Sequence, residues 1–213
     1  MPINKIRATL AKLGKKHPVF HSEADFQHAL AWELQLDDPT ASIRLEKQVA
    51  ESGKRVHLDL LVQSDGEELA IELKYKTRLS NLTYAGEDFL LRNQSAQDLG
   101  RYDFIKDVGR LEVYTQAHRG SSGVAIFLTN DQTYWNPSKK HNAVDSAFRI
   151  HEGRVLQGHA AWGDGAADGT TDKRQDVLTL RHTYQVNWSD YSSFGTGLGD
   201  QFRYVLLHIP RET

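Results

Sequence analysis

Asp59 and the triplet Glu72-Leu73-Lys74 have the residue types of hydrolytic chemistry, and the segments around them set their separation. Arg55 to Val62 alternates, with Val56, Leu58, Leu60 and Val62 on one face and Arg55, His57 and Asp59 on the other. Leu69 to Lys76 alternates likewise, with Leu69, Ile71, Leu73 and Tyr75 against Ala70, Glu72, Lys74 and Lys76. Between them, Ser64-Asp65-Gly66-Glu67 signals a hairpin, because Asp-Gly suits a type I′ turn. A two-residue turn at Asp65-Gly66 sets Asp59 across from Glu72, His57 across from Lys74 and Arg55 across from Lys76. All six lie on the face opposite the Val/Leu stripe. Cross-strand Cβ atoms are about 5 Å apart, and two carboxylates at that separation repel by about 3 kcal/mol at an effective dielectric near 20. A raised pKa, a basic neighbour or a divalent cation relieves this, and Lys74 is such a neighbour. A hard cation such as Mg²⁺ takes one or two carboxylates plus waters and phosphate oxygens. Lys74 would then orient or deprotonate a metal-associated water, or stabilise a phosphate as it becomes pentacoordinate. A solvent-facing hairpin with a plain polar side accounts for the same alternation. The small Ala70, and helical segments on both sides in sequence, favour a covered second face.

The segments that must position these residues are legible around them. Ser22 reads as an N-cap with Asp25 completing the capping pattern, and Phe26, Leu30 and Leu34 continue a helix over about 22 to 36 that Asp37-Asp38-Pro39 ends. Residues 42 to 50 read as a strand, with a turn at Ser52-Gly53. After the hairpin come a short helix near Gly86 to Arg92, a long helix over Ser95 to His118 and a buried strand over Val124 to Thr129. The long helix is apolar at Leu99, Phe104, Val108 and Leu111. Ala161 to Asp172 reads as loop, Val177 to Val186 as strand and Phe202 to Ile209 as a terminal strand. This order predicts an α/β fold with a mixed central sheet flanked by helices.

The 213 residues suffice for one α/β domain with a buried core. The absence of cysteine excludes disulfides, thiolate zinc sites, iron–sulfur clusters and cysteine nucleophiles. No apolar run reaches the 18 or so residues of a membrane span, and the N-terminus is basic without an apolar segment, so the expected location is cytoplasmic. A net charge of −2 makes no whole-chain case for nucleic acid. The charge is uneven, though: Lys5, Arg7, Lys12, Lys15 and Lys16 precede the first acid, Glu23.

At Leu58-Asp59 and, thirteen positions after the aspartate, Glu72-Leu73-Lys74, the chain resembles the PD-(D/E)XK nuclease superfamily, the restriction-endonuclease-like fold. The flanks Leu60-Leu61-Val62 and Ala70-Ile71 agree, and Leu58 stands where the proline that names the motif belongs. The match spans about residues 20 to 129. The resemblance implies a restriction-endonuclease-like core over about 20–130, with a β-rich C-terminal extension over 131–213 completing the sheet and surface of a single domain. It implies Mg²⁺, or Mn²⁺ in its place, held by Asp59, Glu72 and the Leu73 carbonyl, with Lys74 positioning the attacking water. Glu23, on the stripe of Phe26, Gln27, Leu30 and Leu34, is the first choice for a further acid, Glu33 the second and Glu46 the third. The activity implied is metal-dependent hydrolysis of phosphodiester bonds, in DNA, endonucleolytic rather than exonucleolytic. Many nucleases of this kind cut as dimers, so a second copy stands as a candidate partner. The alternative is a catalytically inactive nuclease-like module that binds nucleic acid or a protein partner.

Lys76, Gln94, Arg101, Lys15 and Lys16 are the candidate nucleic-acid contacts. Gly195-Thr196-Gly197-Leu198-Gly199 lacks the third glycine of a dinucleotide loop and reads as plain loop. Asp164, Asp168 and Asp172 lack calcium-loop spacing, and no zinc-hydrolase histidine pair is present. Trp135, Trp162, Trp188, Tyr184 and Tyr191 read as core aromatics rather than base-stacking platforms.

Overall fold

A computed structural model describes residues 3–51, 54–140 and 142–212; the expected Ser52-Gly53 turn lies outside them. In chain order the elements are α1 (Ile3–Lys16), α2 (Glu23–Asp37), β1 (Ser42–Glu51), β2 (Lys54–Ser64), β3 (Glu67–Lys76), β4 (Ser80–Tyr84), β5 (Glu87–Leu91), α3 (Gln97–Ala117) and β6 (Ser121–Thr129). A 3₁₀ turn (Ser146–Phe148), β7 (Val155–Ala160), α4 (Asp168–Thr171), β8 (Leu178–Gln185), β9 (Trp188–Ser193) and β10 (Gln201–Ile209) follow.

Six strands form a mixed sheet in the order β1-β2-β3-β6-β10-β9. Its one parallel pair is β3 with β6, joined through α3, and every other neighbouring pair is antiparallel. Alternation along the central strands feeds two cores. Leu69, Ile71, Leu73 and Tyr75, with Val124, Ile126 and Leu128, pack under Ile6, Leu10 and Leu13 of α1 and Phe26, Leu30 and Leu34 of α2. Ala70, Ala125, Phe127, Val205 and Leu207 face Phe104, Val108 and Leu111 of α3 and the aromatic residues of the C-terminal segment. Both faces are covered, which is why β6 is buried at all nine positions. The fold is a mixed α/β fold: a central sheet flanked by helices, with extra β-strands.

The capping residues read from sequence start α2. Ser22 Oγ accepts from Asp25 N–H at 3.1 Å, and Asp25 Oδ2 accepts from His21 N–H at 2.9 Å. The β2–β3 turn has Asp65 at φ 52° and Gly66 at φ 74°, the pair of positive angles that a type I′ turn requires.

Several expectations need correction. The segment near Gly86 to Arg92 is not a helix but the second strand of the β4–β5 hairpin, turned at Ala85 (φ 50°) and Gly86 (φ 83°). The basic N-terminal segment, which the sequence left without an element, is a full helix whose Ile6, Leu10 and Leu13 pack into the α1–α2 side core. Leu58 does not share a face with Leu60 and Val62. It packs in the α3-side core with Leu61, because the strand changes face at Asp59, beside Glu46 at φ 49° on β1. Of the aromatic residues read as core, Trp135, Trp188 and Tyr184 are buried, while Trp162 and Tyr191 are half-buried at the margins of the two cores. No helix among the described residues is long and apolar enough to cross a membrane.

Candidate active site

The site forms where β2 leaves β3. The hairpin register runs from Ser64↔Glu67 to Leu60↔Ile71, the register expected from a two-residue turn, and then stops one pair short of Asp59 and Glu72. His57 and Arg55 therefore do not lie across from Lys74 and Lys76; they pair with Gln48 and Ala50 of β1. Beyond this point β3 keeps its parallel partner β6 as far as Lys76↔Thr129, but its other edge has lost its neighbour.

Side chains take over that edge. Asp59 Oδ2 accepts the Leu73 N–H at 2.6 Å, Glu23 Oε2 accepts the Tyr75 N–H at 2.7 Å, and Gln94 Oε1 accepts the Thr77 N–H at 2.9 Å. Amides at alternate residues point to the same side of a strand, so these three are consecutive donors of one edge. Gln27 fixes the turn into the site, donating to the Asp59 carbonyl at 2.7 Å and to Glu46 Oε1 at 2.9 Å.

Glu72 and Lys74 point to the α3 side. Glu72 is 2% exposed, and its Oε1 accepts from Arg110 Nη1 at 2.8 Å. Lys74 Nζ lies 2.6 Å from Asp107 Oδ2 and donates to the Leu73 carbonyl at 3.2 Å; Arg110 Nη2 lies 3.2 Å from Asp107 Oδ1. Four carboxylates (Glu23, Asp59, Glu72, Asp107) thus share the site with two cations, Lys74 and Arg110. The imbalance appears in their protonation. Burial lifts the Asp59 carboxyl to about 6, against the opposing pull of the Leu73 amide and Lys74. Burial and then the Asp107 charge push Glu72 well above the usual carboxylate range, opposed by Arg110. Burial works to lower the Lys74 pKa, but Asp107, Glu23 and Asp59 outweigh it and hold the ammonium above its ordinary range. At neutral pH Lys74 is therefore a hydrogen-bond donor and a positive charge. Of the three roles read from sequence, orienting a water and stabilising a phosphate fit this state and deprotonating a water does not.

The Asp59 shift carries a stability prediction. A carboxyl raised in the folded state favours folding below its unfolded pKa near 4, and that contribution is lost as pH rises through about 6. Native stability should therefore fall between pH 4 and 7 by an Asp59-dependent amount on the order of 2 kcal/mol. Asp59→Asn keeps an acceptor for the Leu73 N–H and should flatten that part of the slope in urea unfolding measured across this range.

Of the acids weighed from sequence, Glu23 joins the site. Glu46 touches it through Gln27, and Glu33 is remote, 2% exposed and clamped by Lys12 at 2.5 Å and Lys16 at 2.8 Å. Lys16 takes part in that clamp and stays exposed, as Lys15 does. Arg101 is not on the surface. It is 3% exposed, with Nη1 on Asp145 at 2.9 Å and Nη2 on the Thr133 carbonyl at 2.7 Å. Gln94 acts on the backbone of Thr77, and Lys76 is half-buried. Asp107 and Arg110 are the residues that sequence reasoning missed. Their signal was a charged pair at i, i+3 beside the apolar stripe of Phe104, Val108 and Leu111.

Among the described residues no three His, Cys, Asp or Glu side chains form a ready-made metal cluster. The acids are instead drawn apart by Arg110, Lys74 and two backbone amides. The donor chemistry suits a hard cation nonetheless: the second oxygens of Asp59 and Glu72, together with the Leu73 carbonyl, are all oxygen ligands of the kind Mg²⁺ takes. Compared with known proteins, the chain matches no family model, no curated protein and no solved structure. Fold and site together define a class: a mixed α/β protein with an acidic, lysine-bearing site at the point where two strands of its central sheet part.

Proposed function

We infer that this protein is a divalent-metal-dependent nuclease with a restriction-endonuclease-like core, hydrolysing phosphodiester bonds in DNA. The observation that carries the reading is the convergence of Asp59, Glu72 and Lys74 where β2 leaves β3, with Glu23 bonded to the next free amide of the same edge. Asp59, Glu72 and the Leu73 carbonyl would hold Mg²⁺ or Mn²⁺, which supplies Lewis-acid activation of a phosphate oxygen and a water. Lys74, kept protonated by Asp107, would hold the water or a phosphate oxygen by donating to it. The excess of carboxylates over cations favours a divalent ion electrostatically.

A second reading also has an observation behind it. Arg110 already neutralises Glu72, and Asp107 already pairs with Lys74, as in a nuclease-like binding module that works without metal. Cleavage of linear, supercoiled, branched and single-stranded DNA, and of RNA, separates the two when run with Mg²⁺, with Mn²⁺ and with EDTA. Cleavage that requires the cation and disappears with EDTA is the expected result. A protein that binds no divalent cation by calorimetry and cuts nothing would overturn the enzyme and leave the module.

A further inference from the structure

The stretch between β6 and β7 gathers cations well away from the acidic site. A cavity of about 250 Å³ opens there, lined by Ser138, Lys140, Ser146, Arg149, His151 and Arg154, and no carboxylate among the described residues lines it. The neighbouring acids are turned to other partners. Asp145 is shared between Arg149 Nη2 at 2.6 Å and the buried Arg101 at 2.9 Å. Glu152 accepts the Trp188 N–H at 3.0 Å and lies 3.6 Å from Arg203.

The arginines here have donors to spare. The Nε atoms of Arg149 and Arg154 are buried without an acceptor, and the Arg154 guanidinium makes no ion pair with a described residue. Folded proteins rarely leave buried donors unmatched. Planar guanidinium groups match the oxygens of a phosphate, and a lysine adds a point charge. Ser138 Oγ accepts the Lys140 N–H at 3.2 Å, which leaves its own proton to donate.

We propose that this pocket binds a phosphate group of a nucleic-acid backbone. Arg149 connects it to a larger cavity of about 610 Å³, lined also by Arg101 and by Gln97 and Asp98 at the start of α3. From Arg101 the helix runs about 9 Å to Asp107, the partner of Lys74, at 1.5 Å per residue. A strand seated in this pocket and continuing along the larger cavity would reach the start of α3, the helix whose Asp107 holds Lys74. The choice of a polymer rests on the nuclease reading; the phosphate chemistry of the pocket does not.

The test is binding without cleavage. End-labelled single- and double-stranded DNA is titrated with the full chain in EDTA, by fluorescence anisotropy at several salt concentrations. Native protein is compared with Lys140→Ala/Arg154→Ala and with Arg119→Ala, folding being checked by circular dichroism. The double variant should lose at least about tenfold in affinity, and its salt slope should shrink by about one unit per cation removed. Arg119→Ala, which removes an exposed cation beyond the far end of α3, should bind as native. Native affinity and salt slope in the double variant would overturn the pocket. Inorganic phosphate or pyrophosphate binding as tightly as DNA would overturn the polymer as its occupant. A native protein that binds DNA through this pocket yet never cuts it fails the nuclease reading alone.

Discussion

Glu72→Gln should lower Mg²⁺-dependent cleavage by about a thousandfold or more while the protein stays folded. Glutamine keeps the shape of the side chain and an acceptor for Arg110 Nη1, but removes the negative charge that a cation would meet. A metal contributes several kcal/mol of charge stabilisation, and about 4 kcal/mol corresponds to three orders of magnitude in rate. Alanine is the poorer probe. It would leave Arg110, whose side chain is 18% exposed, with only part of its compensating charge, and breaking a buried pair costs about 3–5 kcal/mol. Lys74→Ala should cost about 10²–10⁴ in rate through loss of the donor. Initial rates in Mg²⁺, with melting curves for each variant, decide the matter. Cleavage that survives both substitutions would place the chemistry elsewhere.

The largest effect on stability is expected at Glu112, which takes no part in the site. It lies on α3, is 1% exposed, and accepts from the Arg181 N–H at 2.9 Å, the His182 N–H at 3.0 Å and the Tyr184 hydroxyl at 2.7 Å. One carboxylate thus ties the central helix to β8 of the C-terminal hairpin. Glu112→Ala strands two backbone donors and a phenol in a site closed to water, each costing about 1–3 kcal/mol. The combined loss should be about 4 kcal/mol, or roughly 10 °C in melting temperature for a chain of this size. Glu112→Gln, which keeps one acceptor, should fall between. A melting temperature within 2 °C of native for the alanine variant would show that β8 contributes little to the cooperative fold.

Much of the frame was legible because local rules and tertiary packing agree. Ser22 and Asp25 set the start of α2, Asp65-Gly66 sets the β2–β3 register, and that register brings Asp59 and Glu72 to one place. What escaped depends on contacts distant in sequence. β4 and β5 turn at Ala85-Gly86, where alanine gives no hint of a positive φ. Lys12 and Lys16 look free in the sequence, but they are held by Glu33 of the next helix. Arg101 has the polarity of a surface contact; its partner Asp145 stands 44 positions away, inside a segment with no periodicity to place it. Asp107 and Arg110 escaped for a related reason, since a charged pair beside an apolar stripe looks like a wet helix face until the sheet beneath is known to carry Glu72 and Lys74.

The capped edge of β3 has a further meaning. An unpaired strand edge offers its amides to any passing chain and so invites intermolecular pairing and aggregation. Asp59, Glu23 and Gln94 close that edge by accepting its three successive donors. They therefore act as gatekeepers of solubility whatever chemistry the site performs. A descendant of this chain would be under pressure to keep them with or without catalysis. Glu72 and Lys74 cap no amide of that edge and are free of this constraint, so in any set of relatives the loss or retention of those two reports on chemistry, while Asp59 and Glu23 report on the fold as well.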